Sequence, residues 1–237
     1  MFLKKFYSGS NDSIKITAEQ GSLFAKEIAN DFNPLHDVGA KRYVVPGDLL
    51  SSIVLEKYGV SKRMKFTFTG MLGGDGIALN FPETNADQFV VMGSNDKTIL
   101  EVERSGEKIT DELIVEALIR DYAAFSGYNF PYVLVPLMAK QKVMINIARP
   151  LVLYESMALE FEHMNFTDPK VEMVDPDLRV DGKRGDAHFN FQIKSGDEVV
   201  GKGFKKIVIS GVREYDEQPM QEFVDNYLAR EEIYLNR

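Results

Sequence analysis

The sequence predicts an α+β fold made of two similarly ordered units, each an apolar helix enclosed by an antiparallel sheet. Three observations carry this. The hydrophobic period switches from helical spacing to strict alternation near residue 64. The order of helix followed by strands recurs in the second half. One helix, in "GDLLSSIVLEKYG", has almost no polar face and must be buried.

The first helix starts at a capping box, Thr17 with Gln20. Phe24, Ile28 and Phe32 follow at i, i+4 and i+8, which extends an amphipathic helix from Ala18 to about Asp31. Asn33 precedes Pro34 and is pushed away from helical geometry, so the helix stops before it. The buried helix comes next, with Leu49, Leu50, Ile53, Val54 and Leu55 around it and Gly59 as its C-terminal stop. "MKFTFTG" then alternates Met64, Phe66 and Phe68 against Lys65, Thr67 and Thr69, the pattern of a strand. "GIALNF", "QFVVMG" and "TILEVER" read as further strands, with "SND" as a turn. "GGDG" at Gly73 to Gly76 opens no helix and reads as a strand bend or bulge rather than a phosphate cradle.

In the second half, "DELIVEALIRDYAAF" is an amphipathic helix and "PYVLVPLMAKQ" a short apolar one. Strands are expected in "VMINIA", "SMALEFEHMNF", "AHFNFQIKSG" and "EVVGKGFKKIVIS". Met220, Phe223, Val224, Tyr227 and Leu228 fall at i, i+3, i+4, i+7 and i+8, so the chain closes with an amphipathic helix. The expected units are residues 1–109 and 110–237.

Composition removes several classes of function. The 237 residues can hold a sizeable core, and 44% hydrophobic with 27% charged residues is a globular balance. With no Cys, disulfides and thiolate metal sites are excluded, and a reducing cytoplasm fits. A net charge of −8 argues against nucleic acid as a partner; "KGFKK" is the best basic cluster and reads as an ordinary alternating strand. "MFLKKFYSGS" lacks the apolar run of a signal peptide, and the apolar run at "YVLVPLMA" is too short to span a membrane. No P-loop, dinucleotide fingerprint, HExxH or EF-hand pattern is present. The His and carboxylate residues are scattered, so no metal is expected.

The stretch "NDFNPLHD" concentrates more polar chemistry than a helix end needs. Asp31 and His36 can exchange protons, and a free imidazole titrates near ~6.5. Singly, each residue has an ordinary reading: a helix-end carboxylate, an Asn-Pro turn, a loop imidazole donating to a carbonyl.

Together, "FAKEIANDFNPLHDVGAKRYVVPGDLLSSIVLEKYG" resembles the MaoC-like hotdog proteins, which include (R)-specific enoyl-CoA hydratases. Asp31, Asn33-Pro34-Leu35-His36 and Gly47 match that family's signature, and "ARPLVLYESMALEFE" and "SGDEVVGKGFKKIVI" are similar to later strands. The two-unit order resembles double hotdog hydratases, a pseudo-dimer within one chain; further pairing into a homodimer is open. The resemblance implies an acyl thioester as substrate, carried on CoA or acyl carrier protein, and no resident cofactor. It implies Asp31 and His36 as the catalytic pair holding a water. It implies Asn33, Gly47 and Ser51 as substrate-binding, with the Gly47 N–H facing the thioester oxygen. The chain departs from the pattern in its short loop from His36 to Gly47. Pro46 stands where the family has a His, and Leu55 where it often has a Ser; Ser51 and Ser52 lie one turn earlier. Hydration or dehydration, thioester hydrolysis, and non-catalytic acyl binding all remain open. No second D-x-N-P-x-H occurs, so the second unit is expected to be a structural or acyl-binding partner. His188 is expected to face solvent or a partner, and His163 to end a core face.

Overall fold

The computed structural model describes residues 2–10, 13–74, 76 and 78–236. A short hairpin, β1 (Ser8–Ser10) and β2 (Ser13–Lys15), leads to α1 (Ala18–Glu27). Then come α2 (Gly47–Tyr58), β3 (Val60–Phe68), β4 (Leu79–Asn80), β5 (Gln88–Gly93) and β6 (Thr98–Ile109). The second half opens with α3 (Glu112–Asn129), which runs through a π-helical turn (Phe130–Leu134) into α4 (Val135–Lys140). It continues with β7 (Val143–Met144), β8 (Val152–Phe161), β9 (Pro169–Asp181), β10 (Arg184–Ser195), β11 (Glu198–Ser210), β12 (Arg213–Glu214) and α5 (Glu217–Leu235).

Among the described residues, one continuous antiparallel sheet forms in the order β1-β2-β4-β5-β6-β3-β8-β11-β10-β9. This corrects the expectation of two separate sheets. The two halves join where β3 pairs with β8 through Met64 opposite Leu159 and Phe66 opposite Met157, while β7 and β12 pair apart in a two-stranded sheet. Joining there pairs two strand edges that would otherwise be exposed. α2 and α3 pack against each other and share one core with β3, β6 and β8. A second cluster forms around Leu134, Met138, Phe189, Ile209 and Met220.

Local chemistry explains most of the elements. The Thr17–Gln20 capping box is formed in both directions. Asp111 caps α3 by accepting from the Leu113 and Ile114 N–H groups at 2.9 and 3.2 Å. α2 is buried on nearly every side, and Gly59 closes it at φ +81.

Other expectations need correction. α1 ends at Glu27, before Asp31, because Asn30 turns left-handed at φ +51 and the Asp31 N–H returns to the Ala25 carbonyl. "GIALNF" forms only the two residues of β4, and "VMINIA" only the two of β7. Asp75 of "GGDG" and Ile77 of "GIALNF" lie outside the described residues, so the expected bend there is not described in full. β8 begins earlier than read, and β9 was not read as a strand at all. The alternation of β9 is broken by Asp175 at φ +46, beside a register shift against β10.

One contact fixes how the first half meets the second. A Cβ placed on Gly127 of α3 would lie 1.8 Å from the Ala29 carbonyl oxygen. The chain leaving α1 therefore rests directly on the α3 backbone. An alanine in a helix interior gains ~1 kcal/mol over glycine, whereas overpacking costs ~1–3 kcal/mol or more. Here the obstacle is backbone, so the clash wins. Gly127→Ala is expected to destabilise the protein by ~2 kcal/mol or more. Urea unfolding checks this: the midpoint should fall at an unchanged slope, and an unchanged midpoint would refute the contact.

Candidate active site

The turn that carries the polar stretch is built by its own side chains. The Asn33 side chain accepts from the Leu35 N–H at 3.1 Å, and Pro34 opens a single 3-10 turn over Pro34–His36. Asp31 Oδ1 accepts from the Asn33 N–H at 2.8 Å. The turn thus brings Asp31 and His36 together, with His36 Nε2 3.6 Å from Asp31 Oδ2. That separation is too long for a good direct hydrogen bond. The other ring nitrogen, Nδ1, lies 2.7 Å from the Val44 carbonyl oxygen, which can only accept. A neutral His36 therefore carries its proton on Nδ1 and presents the Nε2 lone pair toward Asp31.

The terminal helix holds this turn in place. The Tyr227 hydroxyl, on α5, donates to Asp31 Oδ1 at 3.2 Å and accepts from the Phe32 N–H at 3.0 Å. Burial, then the Asp31 carboxylate beside it, holds the Tyr227 phenol well above its ordinary range, so it stays a donor. Phe32 packs edge-on to Tyr227 and Tyr234. Asp37 is tied to Lys26 at 2.9 Å and to Arg230. Asp31 Oδ1 is thereby occupied, and Oδ2 is the oxygen left facing His36.

Asp31, Asn33, His36 and Gly47 all line a cavity of about 640 Å³. Gly47 opens α2, and Pro46 before it provides no side-chain cap. The Leu49 amide turns back to the Pro46 carbonyl at 3.1 Å, while the Gly47 and Asp48 amides have no acceptor within the helix and lie at the positive end of its dipole. The absence of a side chain at Gly47 has a second cause. A Cβ there would lie 2.7 Å from the Tyr154 ring and 3.2 Å from Phe68, which stack with centroids 4.5 Å apart. Ser51 does not line the cavity. Its hydroxyl turns back along α2 to the Asp48 carbonyl at 3.1 Å, and the residue is buried. The substrate-binding role expected for Ser51 therefore has no geometric support, because that face of α2 packs into the core.

The cavity also holds residues to which the sequence assigns no role, although Tyr128 and Asn129 are expected to lie where a pocket could be. Asp48, Ser126, Asn129, Tyr154 and Lys205 line it. Lys205 donates to Ser126 and to Asp48 Oδ2, the latter at 3.4 Å, and its ammonium sits 4.0 Å from the centre of the Tyr154 ring. Ser126 donates to the same Asp48 oxygen. The Tyr122 and Tyr154 hydroxyls pair with each other, and burial, reinforced by Asp48 nearby, raises both phenols well above their ordinary value.

"KGFKK" reads as an ordinary alternating strand, and its Lys205 is only 5% exposed. The signal was its shared parity with Ile207 and Ile209 along β11. Tyr154 was hidden by a bulge: Lys206 pairs with Ser156 but Ile207 pairs with Tyr154, so Glu155 is skipped and the inward parity of β8 changes. Tyr227 was read only as one position of a core stripe.

The remaining histidines lie outside this cavity. His188 is part-exposed beside Asp177. His163 is 40% exposed in its side chain and pairs with Glu198 at 3.0 Å, so it does not end a core face. Among the described residues, no three His, Asp or Glu side chains gather as a metal set. No helix among them is long and apolar enough to cross a membrane.

Several solved structures are similar in outline. One is a conserved protein of unknown function with hot dog fold from Alicyclobacillus acidocaldarius, at 8% identity and TM-score 0.46, covering 89% of this chain and 98% of that one. Another is the acyl-CoA thioesterase II TesB2 from Mycobacterium marinum, at 10% identity and TM-score 0.42, covering 92% and 99%. A third is a MaoC-like dehydratase, at 9% identity and TM-score 0.42, covering 85% and 97%. Comparison with curated proteins gives no match. A sequence-family profile matches residues 1–218, and the chain belongs to that family, described as "Protein of unknown function (DUF3581)".

Proposed function

We propose that this chain is a double hotdog protein, with units 1–109 and 110–237, that adds water to or removes it from an acyl thioester. The observation that carries the reading is the facing pair of Asp31 Oδ2 and His36 Nε2, 3.6 Å apart on a cavity wall they share with Gly47. Each group has its other polar atom occupied, so both free atoms are directed at one small space. A water there donates one hydrogen to Asp31 and the other to His36.

In the hydration direction, the water oxygen bonds to the β-carbon of a 2-enoyl thioester. Its proton passes to His36 Nε2, and the π electrons move through the α-carbon to the thioester oxygen. The Gly47 N–H, at the positive end of α2, stabilises that oxygen. The enolate then collapses, and the α-carbon takes the proton from His36. Water is added and both side chains return to their starting states. Asp31 stays ionised, orients the water and stabilises the imidazolium. The carrier is CoA or acyl carrier protein, and the chemistry needs no resident cofactor.

The test follows the absorbance of conjugated enoyl-CoAs, from crotonyl to dodecenoyl. Wild type should consume the enone, and Asp31→Asn and His36→Ala should each lower kcat/KM by about 10²–10⁴. Free thiol appearing with the same mutant dependence would reassign the site to thioester hydrolysis. A folded protein with no turnover would overturn the enzymatic reading.

Tyr227 reaches the reacting pair through its hydrogen bond to Asp31. Tyr227→Phe should lower kcat/KM about tenfold, the scale of one lost hydrogen bond to a charged group. Adding it to Asp31→Asn should cause little further loss, since the two residues work as one unit. Full additivity in the double variant would show that Tyr227 contributes elsewhere.

A further inference from the structure

The cavity carries polar capacity that the Asp31/His36 chemistry does not use. Asp48, Ser126, Asn129 and Lys205 line it and are 7%, 8%, 2% and 5% exposed. Their mutual pairing is incomplete. Asp48 Oδ2 accepts from Lys205 and Ser126, while Asp48 Oδ1 has no hydrogen-bond partner. Asn129 has none at either Nδ2 or Oδ1. Ser126 and Asn129 are three apart on α3 and so share one face of that helix. Ser126 is bonded to Asp48, and all three residues line the one cavity. The same cavity wall also carries Tyr154 and the apolar side chains of Phe130, Leu134, Phe189 and Ile207.

Buried polar groups are ordinarily paired, and an unpaired one is unfavourable. An unsubstituted acyl chain beside Asp48 and Asn129 would leave two acceptors and a donor without partners. A carboxylate there would meet the Asp48 charge, with Lys205 already engaged. A neutral group that both donates and accepts, a hydroxyl or a carboxamide, complements what is free. It donates to Asp48 Oδ1 or Asn129 Oδ1 and accepts from Asn129 Nδ2.

We propose that Asp48 and Asn129 form a specificity subsite for a neutral hydroxyl or amide group on the acyl part of the ligand; this rests on the acyl-thioester reading of the same cavity. The substrate class is then a polar-substituted acyl thioester rather than a simple fatty acyl one.

Calorimetric binding tests it in two arms. The first compares octanoyl-CoA with hydroxyoctanoyl-CoAs carrying the hydroxyl at each position from C4 to C8. At least one isomer should bind about tenfold more tightly than octanoyl-CoA, and Asn129→Leu should abolish the preference. The second arm is free of CoA and compares octanamide with N,N-dimethyloctanamide, which cannot donate. Octanamide should bind about tenfold more tightly to wild type and not to Asn129→Leu. Asn129→Ala serves where the leucine variant does not fold, and the wild-type comparison stands without either. Discrimination between the amides without any CoA-ester binding would support the subsite and overturn the thioester reading. CoA esters binding with no hydroxyl preference, and amides undiscriminated, would overturn the subsite and leave the thioester reading intact. A preference that survives both Asn129 variants would also overturn the subsite, and no binding in either arm would overturn both.

Discussion

The Ala29 carbonyl rests on the α-carbon of Gly127, and the cavity follows from that approach. Any larger residue at 127 would push the chain leaving α1 away from α3. Because the two backbones touch, the turn carrying Asp31 and His36 lies against the same end of α3 that presents Ser126 and Asn129. The Tyr227 hydroxyl spans the seam, 3.2 Å from Asp31 Oδ1 and 3.4 Å from the Gly127 carbonyl. Backbone packing and side-chain polarity thus converge on one small region, where three elements far apart in sequence meet.

The cavity is accordingly composite. Residues before 110 supply the facing pair and the open start of α2, and residues after 110 supply much of the remaining wall. The two polar groups differ in character. Asp31 and His36 keep part of their side chains accessible, at 24% and 13%, and each has a free atom directed at the other. Asp48 and Lys205 are buried together, and removing either would leave a charge without its partner, a change that typically costs ~3–5 kcal/mol. The first group can exchange protons with a ligand. The second is a fixed electrostatic frame whose spare capacity is limited to Asp48 Oδ1 and the Asn129 amide.

Two of the departures from the sequence pattern share a cause. Period-two reading assumes an unbroken ladder, and a single bulge reverses the parity of everything beyond it. The shift around Glu155 hides Tyr154, and the irregularity at Asp175 hides β9. Lys205 differs: its parity is legible, but its burial follows from its partner Asp48, 157 positions away. Asn30 shortened α1 by adopting a left-handed conformation that the spacing of Phe24, Ile28 and Phe32 does not reveal.

The sequence by itself determined what depends on neighbours within a few residues. These are the capping box at Thr17, the largely apolar α2, its stop at Gly59, and the Asn33-Pro34 turn that folds Asp31 back toward His36. Their hydrogen bonds and steric limits close within a turn or two, so residue type and spacing suffice. Tertiary structure alone decided the single joined sheet, the seating of Ala29 on Gly127, the reach of Tyr227 to Asp31, and the pairing of Asp48 with Lys205. These contacts join positions about 90 to 200 residues apart, and their energy comes from burial and desolvation, which no local pattern encodes.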